Sequence, residues 1–333
     1  MRLTRVYCSL GLKYLLLAFS VNIATVGIFV SVAFSQDAAG TNVVLQGKDV
    51  KDVITSLNVI SNGEPPFTTL RYALKQSERF SSVVHMFTNL DITIDKLKPQ
   101  SVSSGWIQIP IELEVTKIGS DASANIEMIM GAPRLDEAQA SNSLHISRIR
   151  DSISRITNTK CSYVFYPNGI VKDISCLSGN KDTDQQQVNY LLATTYAILP
   201  ELPIGKNAQW LITTSIKNLA EPVKTMFQVK EINENQAVIF ITTETSPTEH
   251  KLENVTMSTS AAGDLLSSIV SLQGEIIIQF NKPIPDMSIR GSISQTWNIP
   301  YKGIFAKSDT KQKETNTKMA VRMRVNTFAK GSM

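Results

Sequence analysis

Catalysis needs side chains that titrate, attack or ligate, and this sequence places few of them together. It holds three histidines, His85, His145 and His250. His85 stands in a strand-like stretch, His145 at the start of a helical pattern and His250 in the polar run Pro247-Thr-Glu-His-Lys. No two share the spacing of a zinc site, so a metal centre is not expected. Asp91 and Asp95 are four apart in strand-like sequence, where one face would carry both carboxylates; Asp182 and Asp184 stand at a helix start. Paired carboxylates can cleave glycosides, but exposed acid pairs are common and neither pair is assigned a catalytic role. No G-x-S-x-G, Walker loop, H-E-x-x-H or G-x-G-x-x-G occurs. The residue types predict a protein that is not an enzyme, with no catalytic, cofactor-binding or metal-binding residues and no cofactor.

Sulfur offers a structural bond instead. Of Cys8, Cys161 and Cys176, the first falls in the N-terminal leader, which leaves an even pair. In an oxidising compartment such a pair can close a disulfide. The segment between them reads as a β-hairpin turning at Pro167-Asn168-Gly169. A two-residue turn at Asn168-Gly169 sets the cysteines opposite each other. With Pro167 second in a type I turn and Gly169 as a bulge, the register slips by one and they miss. The reading favours the disulfide, which closes a loop of roughly 15 residues and contributes about 3 kcal/mol in the chain-entropy model.

The leader sets the compartment. Arg2, Arg5 and Lys13 precede an uncharged apolar run from Tyr14 to Phe34, and Ala33-Phe34-Ser35 then precedes Gln36. This is the layout of a signal peptide cleaved between Ser35 and Gln36. The run is also long enough to act as an uncleaved membrane anchor. Either way the remainder is exported, to the periplasm or outside the cell, or held at the membrane by residues 14–34. Without Arg2, Arg5 and Lys13 the formal charge falls from +4 to +1. From Lys302 onward there are eight Lys/Arg against Asp309 and Glu314, a basic end suited to an anionic membrane surface or simply to solvent. No broad basic field marks a nucleic-acid binder.

The elements that would position these residues are mostly strands. Trp106 to Val115 alternates, with Ile107, Ile109, Ile111, Leu113 and Val115 on one face, and Gly119-Ser120-Asp121 turns it into Ala124 to Met130. Leu70 to Leu74, Ser82 to Phe87 and Leu90 to Ile94 read as further strands. So do stretches of Trp210 to Glu244, Leu252 to Thr259, Gly274 to Phe280, Met287 to Ile299 and Met319 to Val325. Leu135 to Ile156 carries Ile146, Ile149, Ile153 and Ile156 at helical spacing, with Arg148, Arg150 and Arg155 off the stripe; Asp182 to Leu199 reads as a second helix ended by Pro200. The fold class expected is mainly β: a large curved antiparallel sheet, or two half-sheets from an internal repeat, with two helices packed on it. The domains expected are a leader over 1–35, a leading segment over 36–66, a β-rich domain over 67–305 and a basic linker with a terminal strand over 306–333. Within the β-rich domain the repeats would run over about 67–132 and 200–300, with helical insertions at about 135–157 and 182–199.

The repeat rests on parallels. Gly105-Trp106 answers Gly205 and Trp210. Val115 to Ile118 with Ala124-x-Ile126 answers Val229 to Ile232 with Ala237-x-Ile239. The order of Leu70-Arg-Tyr-Ala-Leu-Lys, Tyr166-Pro-Asn-Gly-Ile-Val, Leu199-Pro-Glu-Leu-Pro-Ile-Gly-Lys-Asn-Ala-Gln-Trp210 and Gly274-Glu-Ile-Ile-Ile-Gln-Phe280 resembles a family of uncharacterised exported bacterial β-rich proteins, from about Leu70 to Ile299. That resemblance implies a periplasmic or surface protein of no known activity. Relatives are often lipoproteins; this chain differs in lacking the cysteine after its leader. The function expected is an exported cell-envelope binding module, its ligand unknown, with an apolar or lipid ligand held by a curved sheet as the foremost reading. The alternative is a non-enzymatic structural or protein-interaction module tethered to or facing the membrane.

Overall fold

The computed structural model describes residues 42–46, 53–95, 98–140, 150, 154, 157–177, 197–216, 223–245, 252–258, 261–300 and 316–332. The leader with Ser35 and Gln36, His145, His250, Asp182, Asp184, Arg148 and Arg155 lie outside them. In chain order the strands are β1 (Asn42–Gln46), β2 (Val53–Ser61), β3 (Glu64–Thr68), β4 (Arg79–Ile94), β5 (Gln100–Ile118), β6 (Ala124–Met130) and β7 (Arg134–Ala140). They continue as β8 (Lys160–Phe165), β9 (Val171–Leu177), β10 (Ile204–Lys206), β11 (Gln209–Ile216), β12 (Val223–Ile232) and β13 (Gln236–Glu244). The last are β14 (Leu252–Ser258), β15 (Ala261–Gln279), β16 (Asp286–Pro300) and β17 (Asn316–Ser332).

Fifteen of them build one antiparallel sheet in the order β1-β2-β11-β12-β13-β15-β16-β17-β4-β5-β6-β8-β9, with β7 added on β5 and β14 on β15. The two remaining strands, β3 and β10, pair with each other. Alternation gives the sheet two unlike faces. On β4 the inner face carries Phe80, Val84, Met86, Leu90 and Ile92, and on β5 Ile107, Ile109, Ile111, Leu113 and Val115, all buried. Inner residues of every strand from β2 round to β8 join one apolar cluster. The outer face is mostly polar.

Irregular chain fills the inside. The stretch Leu70 to Leu74, which alternates like a strand, forms none: Leu70 and Tyr72 are buried, and its backbone bonds run to two distant turns. Tyr72 N–H donates to the Pro167 carbonyl at 2.8 Å and Ala73 N–H to the Phe280 carbonyl at 2.6 Å. A second stretch, from Ala197 to Leu202, lies beside it. Leu199 N–H reaches the Asn168 carbonyl, and Trp210 Nε1 donates to the Ile198 carbonyl at 3.2 Å. Arg71 ties the two stretches by donating to the Pro200 carbonyl and pairing with Glu201 at 2.6 Å.

The expected helices are not among the elements described. Arg134–Ala140, where the first was to begin, is strand β7, because the edge of β5 beyond β6 offers its backbone a partner. Arg150 and Ser154 have helical backbone, and the rest of that span lies outside the described residues. Ala197 to Leu199, the end of the second, is neither helix nor strand. The terminal strand is also not a solvated end: β17 stands at the centre of the sheet, between β16 and β4.

Two hairpins match in detail. In β5–β6 the pairs Val115↔Ile126, Lys117↔Asn125 and Ile118↔Ala124 enclose a bulge at Thr116. In β12–β13 the pairs Val229↔Ile239, Glu231↔Val238 and Ile232↔Ala237 enclose one at Lys230. Val115 exchanges backbone bonds with Ser77 and Glu78, and Val229 with Asn207 and Ala208. Ser77 and Asn207 both hold positive φ, 65° and 63°.

Candidate functional site

Cys161 and Cys176 face each other across β8 and β9 and are joined by a disulfide. The turn between them is the bulged kind, with Gly169 N–H donating to the Tyr166 carbonyl and Tyr166 N–H to the Ile170 carbonyl. That turn alone would offset the cysteines. A second bulge, at Asp173 with φ 52°, lies between the Val164↔Lys172 and Ser162↔Ser175 pairs and restores the register.

The candidate carboxylate pair does not form a catalytic dyad. Asp91 lies on the outer face of β4, where Ser101 Oγ donates to it and Arg324 pairs with it at 3.2 Å. Asp95 has left the strand, at φ 41°, with its N–H bonded to the Lys318 carbonyl. Among the described residues no group of three or more His, Cys, Asp or Glu could hold a metal ion.

Side chains converge instead on the outer face of the long strands. Register places Thr242, Gln273, Arg290, Asn326, Phe87 and Trp106 in one row across β13, β15, β16, β17, β4 and β5. The neighbouring row is Glu244, Ser271, Ser292, Arg324, Asn89 and Ser103. Together the two rows line most of a groove of about 490 Å³ that crosses the strands from β13 to β4. Five strands are four inter-strand spacings, about 19 Å.

Aromatic rings stand at the β4 end of the groove. His85 and Phe328 stack at 4.1 Å and 13°. Trp106 lies 5.3 Å from Phe328 and 5.2 Å from Phe87, which also lines the groove. Their presentation depends on one bulge. Phe87 pairs with Trp106 but Asn89 pairs with Ser103, so Ser104 and Gly105 oppose Thr88 alone. Gly105 takes φ 69°, and Ser104 Oγ accepts the Thr88 N–H at 3.0 Å. The extra residue turns Trp106 outward while Ile107 stays inside.

Charge on this face is segregated. β17 presents Lys318, Arg322, Arg324 and Lys330 outward and contains no acid, and β16 adds Arg290. Glu112, Glu114 and Glu127 gather on β5 and β6 around a second recess, where Arg79 pairs with Glu114 at 3.0 Å. None of the groove residues was signalled by chemistry-bearing spacing; Asp91, which was, lies outside the lining and touches it only through Arg324. The one available signal is the period-2 run Arg322-x-Arg324-x-Asn326-x-Phe328-x-Lys330.

No family model matches the chain, and no curated protein matches it. Among solved structures, an outer membrane channel from Pseudomonas putida F1 aligns over 77% of this chain and 97% of its own, at 13% identity and a TM-score of 0.22. No helix among the described residues is long and apolar enough to cross a membrane, which leaves β-barrels untouched.

Proposed function

We propose that this chain is an exported, non-enzymatic binding module of the cell envelope that holds its ligand on the polar outer face of its sheet. The transverse groove carries the reading: two aligned rows of polar side chains from five strands, ending on a cluster of four rings. Export is supported by the leader and agrees with the Cys161–Cys176 disulfide. The outward face of β16 and β17, with five cations, is unlike the apolar band of a lipid-facing barrel.

An apolar or lipid ligand would need the inner face. Trp210, Phe227, Phe165 and Leu70 occupy it and are buried to 1% or less, so the outer groove is favoured. The test is an NMR titration of the mature chain with polysaccharide and lipid fractions of the host envelope. Shifts clustering on Gln273, Arg290, Arg324, Asn326 and Trp106 are expected. Shifts confined to inner-face residues, or turnover of an added fraction, would overturn the reading.

A further inference from the structure

We infer that the ligand of this groove is an anionic polysaccharide, a linear chain of sugar rings bearing acidic groups. The inference rests on the groove being the binding surface and adds the chemistry of what fills it.

Three observations converge. The first is charge. Arg290 and Arg324 both line the groove, with Glu244 the sole acid among its lining residues. Arg324 already pairs with Asp91. Arg290 forms no ion pair with a described residue, and its cross-strand neighbours are the neutral Gln273 and Asn326. An arginine so placed offers its planar fork of donors to a ligand carboxylate or phosphate. The second is the neutral lining. Thr242, Gln273, Ser271, Ser292, Asn89 and Asn326 are hydroxyl or amide side chains, each both donor and acceptor. That inventory matches a ligand rich in hydroxyls. A lipid tail would leave these groups without partners.

The third is shape. The lining forms a continuous track about 19 Å long across the strands, with Trp106, Phe87 and Phe328 at one end. Ring faces of this kind pack against the C–H faces of pyranose rings while hydroxyls reach sideways to polar neighbours. The acidic recess around Glu112, Glu114 and Glu127 on β5 and β6 repels an anionic chain, so the chain is directed from the rings across β4, β17 and β16.

Calorimetry on the mature chain with oligogalacturonate tests this, with the fully methyl-esterified oligomer as a charge-free control on the same rings. The acid form is expected to bind, and esterification to weaken it by about 10- to 100-fold, the range of a lost charged hydrogen bond. Arg290→Gln should weaken the acid form by a similar factor, leave the ester unaffected and leave the melting curve unchanged, since Arg290 is exposed. Trp106→Ala should weaken both forms. Equal binding of acid and ester, or full binding by Arg290→Gln, would overturn the inference. So would tighter, Arg290-dependent binding of single-stranded DNA or of phosphatidylglycerol vesicles. In each case the binding module itself stands if the titration with envelope fractions still moves groove resonances. Loss of that signal would instead remove the module.

Discussion

Asp121 shows how one side chain shapes a turn on which a hairpin depends. Its Oδ1 accepts from Ser123 N–H at 3.1 Å and from Ser123 Oγ at 2.6 Å, and Ala122 between them takes φ 61°. These bonds, the hydroxyl first, favour the charged carboxylate and hold its pKa below the ordinary value. A lowered folded-state pKa stabilises the turn above the unfolded value and loses that contribution as pH falls through the folded one. Ser123→Ala removes the hydroxyl bond and keeps the backbone one, so it should move the Asp121 titration upward, which carboxyl NMR reads directly; an unmoved titration would separate the Ser123 hydroxyl from the effect. Gly105 sets the other local choice, since its φ of 69° is what the bulge requires. Gly105→Ala should cost about 1–2 kcal/mol for placing a Cβ in the left-handed region, seen as a lower denaturation midpoint. Straightening the bulge would turn Trp106 inward, so its emission should shift to the blue. An unchanged spectrum at unchanged stability would show that the bulge does not need glycine.

At the scale of elements, legibility follows how local the determinants are. The β5–β6 hairpin is readable because Ile107 to Val115 alternate without a break and a polar turn follows at once. Leu70 to Leu74 alternates too, but Leu70 and Tyr72 serve a core whose partners, Phe165 and the Pro167 turn, lie some hundred residues on, and no local pattern records that. β7 was hidden by helical spacing downstream of it, and its partner edge on β5 is a tertiary fact. The groove was illegible for the same reason: its residues run from Phe87 to Asn326, two or three per strand, and its polar ones are ordinary solvent-facing side chains until the register aligns them. The cysteine pair stands between these cases. The local turn chemistry left two registers open, and the bulge at Asp173 decides in favour of pairing. Replacing Cys161 and Cys176 by serine should lower stability by about 3 kcal/mol, the closure entropy of the 15-residue separation. A denaturant titration checks it, and a difference below about 1 kcal/mol would mean that the hairpin is equally constrained without the bond.

At the scale of the whole molecule, the order of strands makes the C-terminal segment a structural keystone rather than an appendage. Residues Met287 to Pro300 of β16 pair with β17 along its length, and β17 in turn pairs with β4 from Met319↔Ile94 to Ser332↔Ser81. To one side of that seam lie β2, β11, β12, β13, β15 and β16, and to the other β4, β5, β6, β8 and β9. Apart from β17, the two sides meet through the irregular stretches around Tyr72 and Leu199 and through inner-face packing. Buried Met323, Val325 and Ala329 carry the apolar cluster across the seam. Removing residues 316–333 would leave two long bare strand edges, β16 and β4, and open the core between them. Exposed edges of this length pair with other chains. The truncated protein should therefore be recovered as oligomer or aggregate by sedimentation, with its buried tryptophans, Trp210 and Trp297, shifted to the red. Replacing Lys318, Arg322, Arg324 and Lys330 by glutamine keeps the strand and removes only its outward charge. That variant should keep the parent protein's sedimentation behaviour and cooperative unfolding, which separates the architectural role of β17 from its proposed role in the groove. A truncation that sediments like the parent protein and keeps native tryptophan emission would mean that the two sides hold together without their central strand.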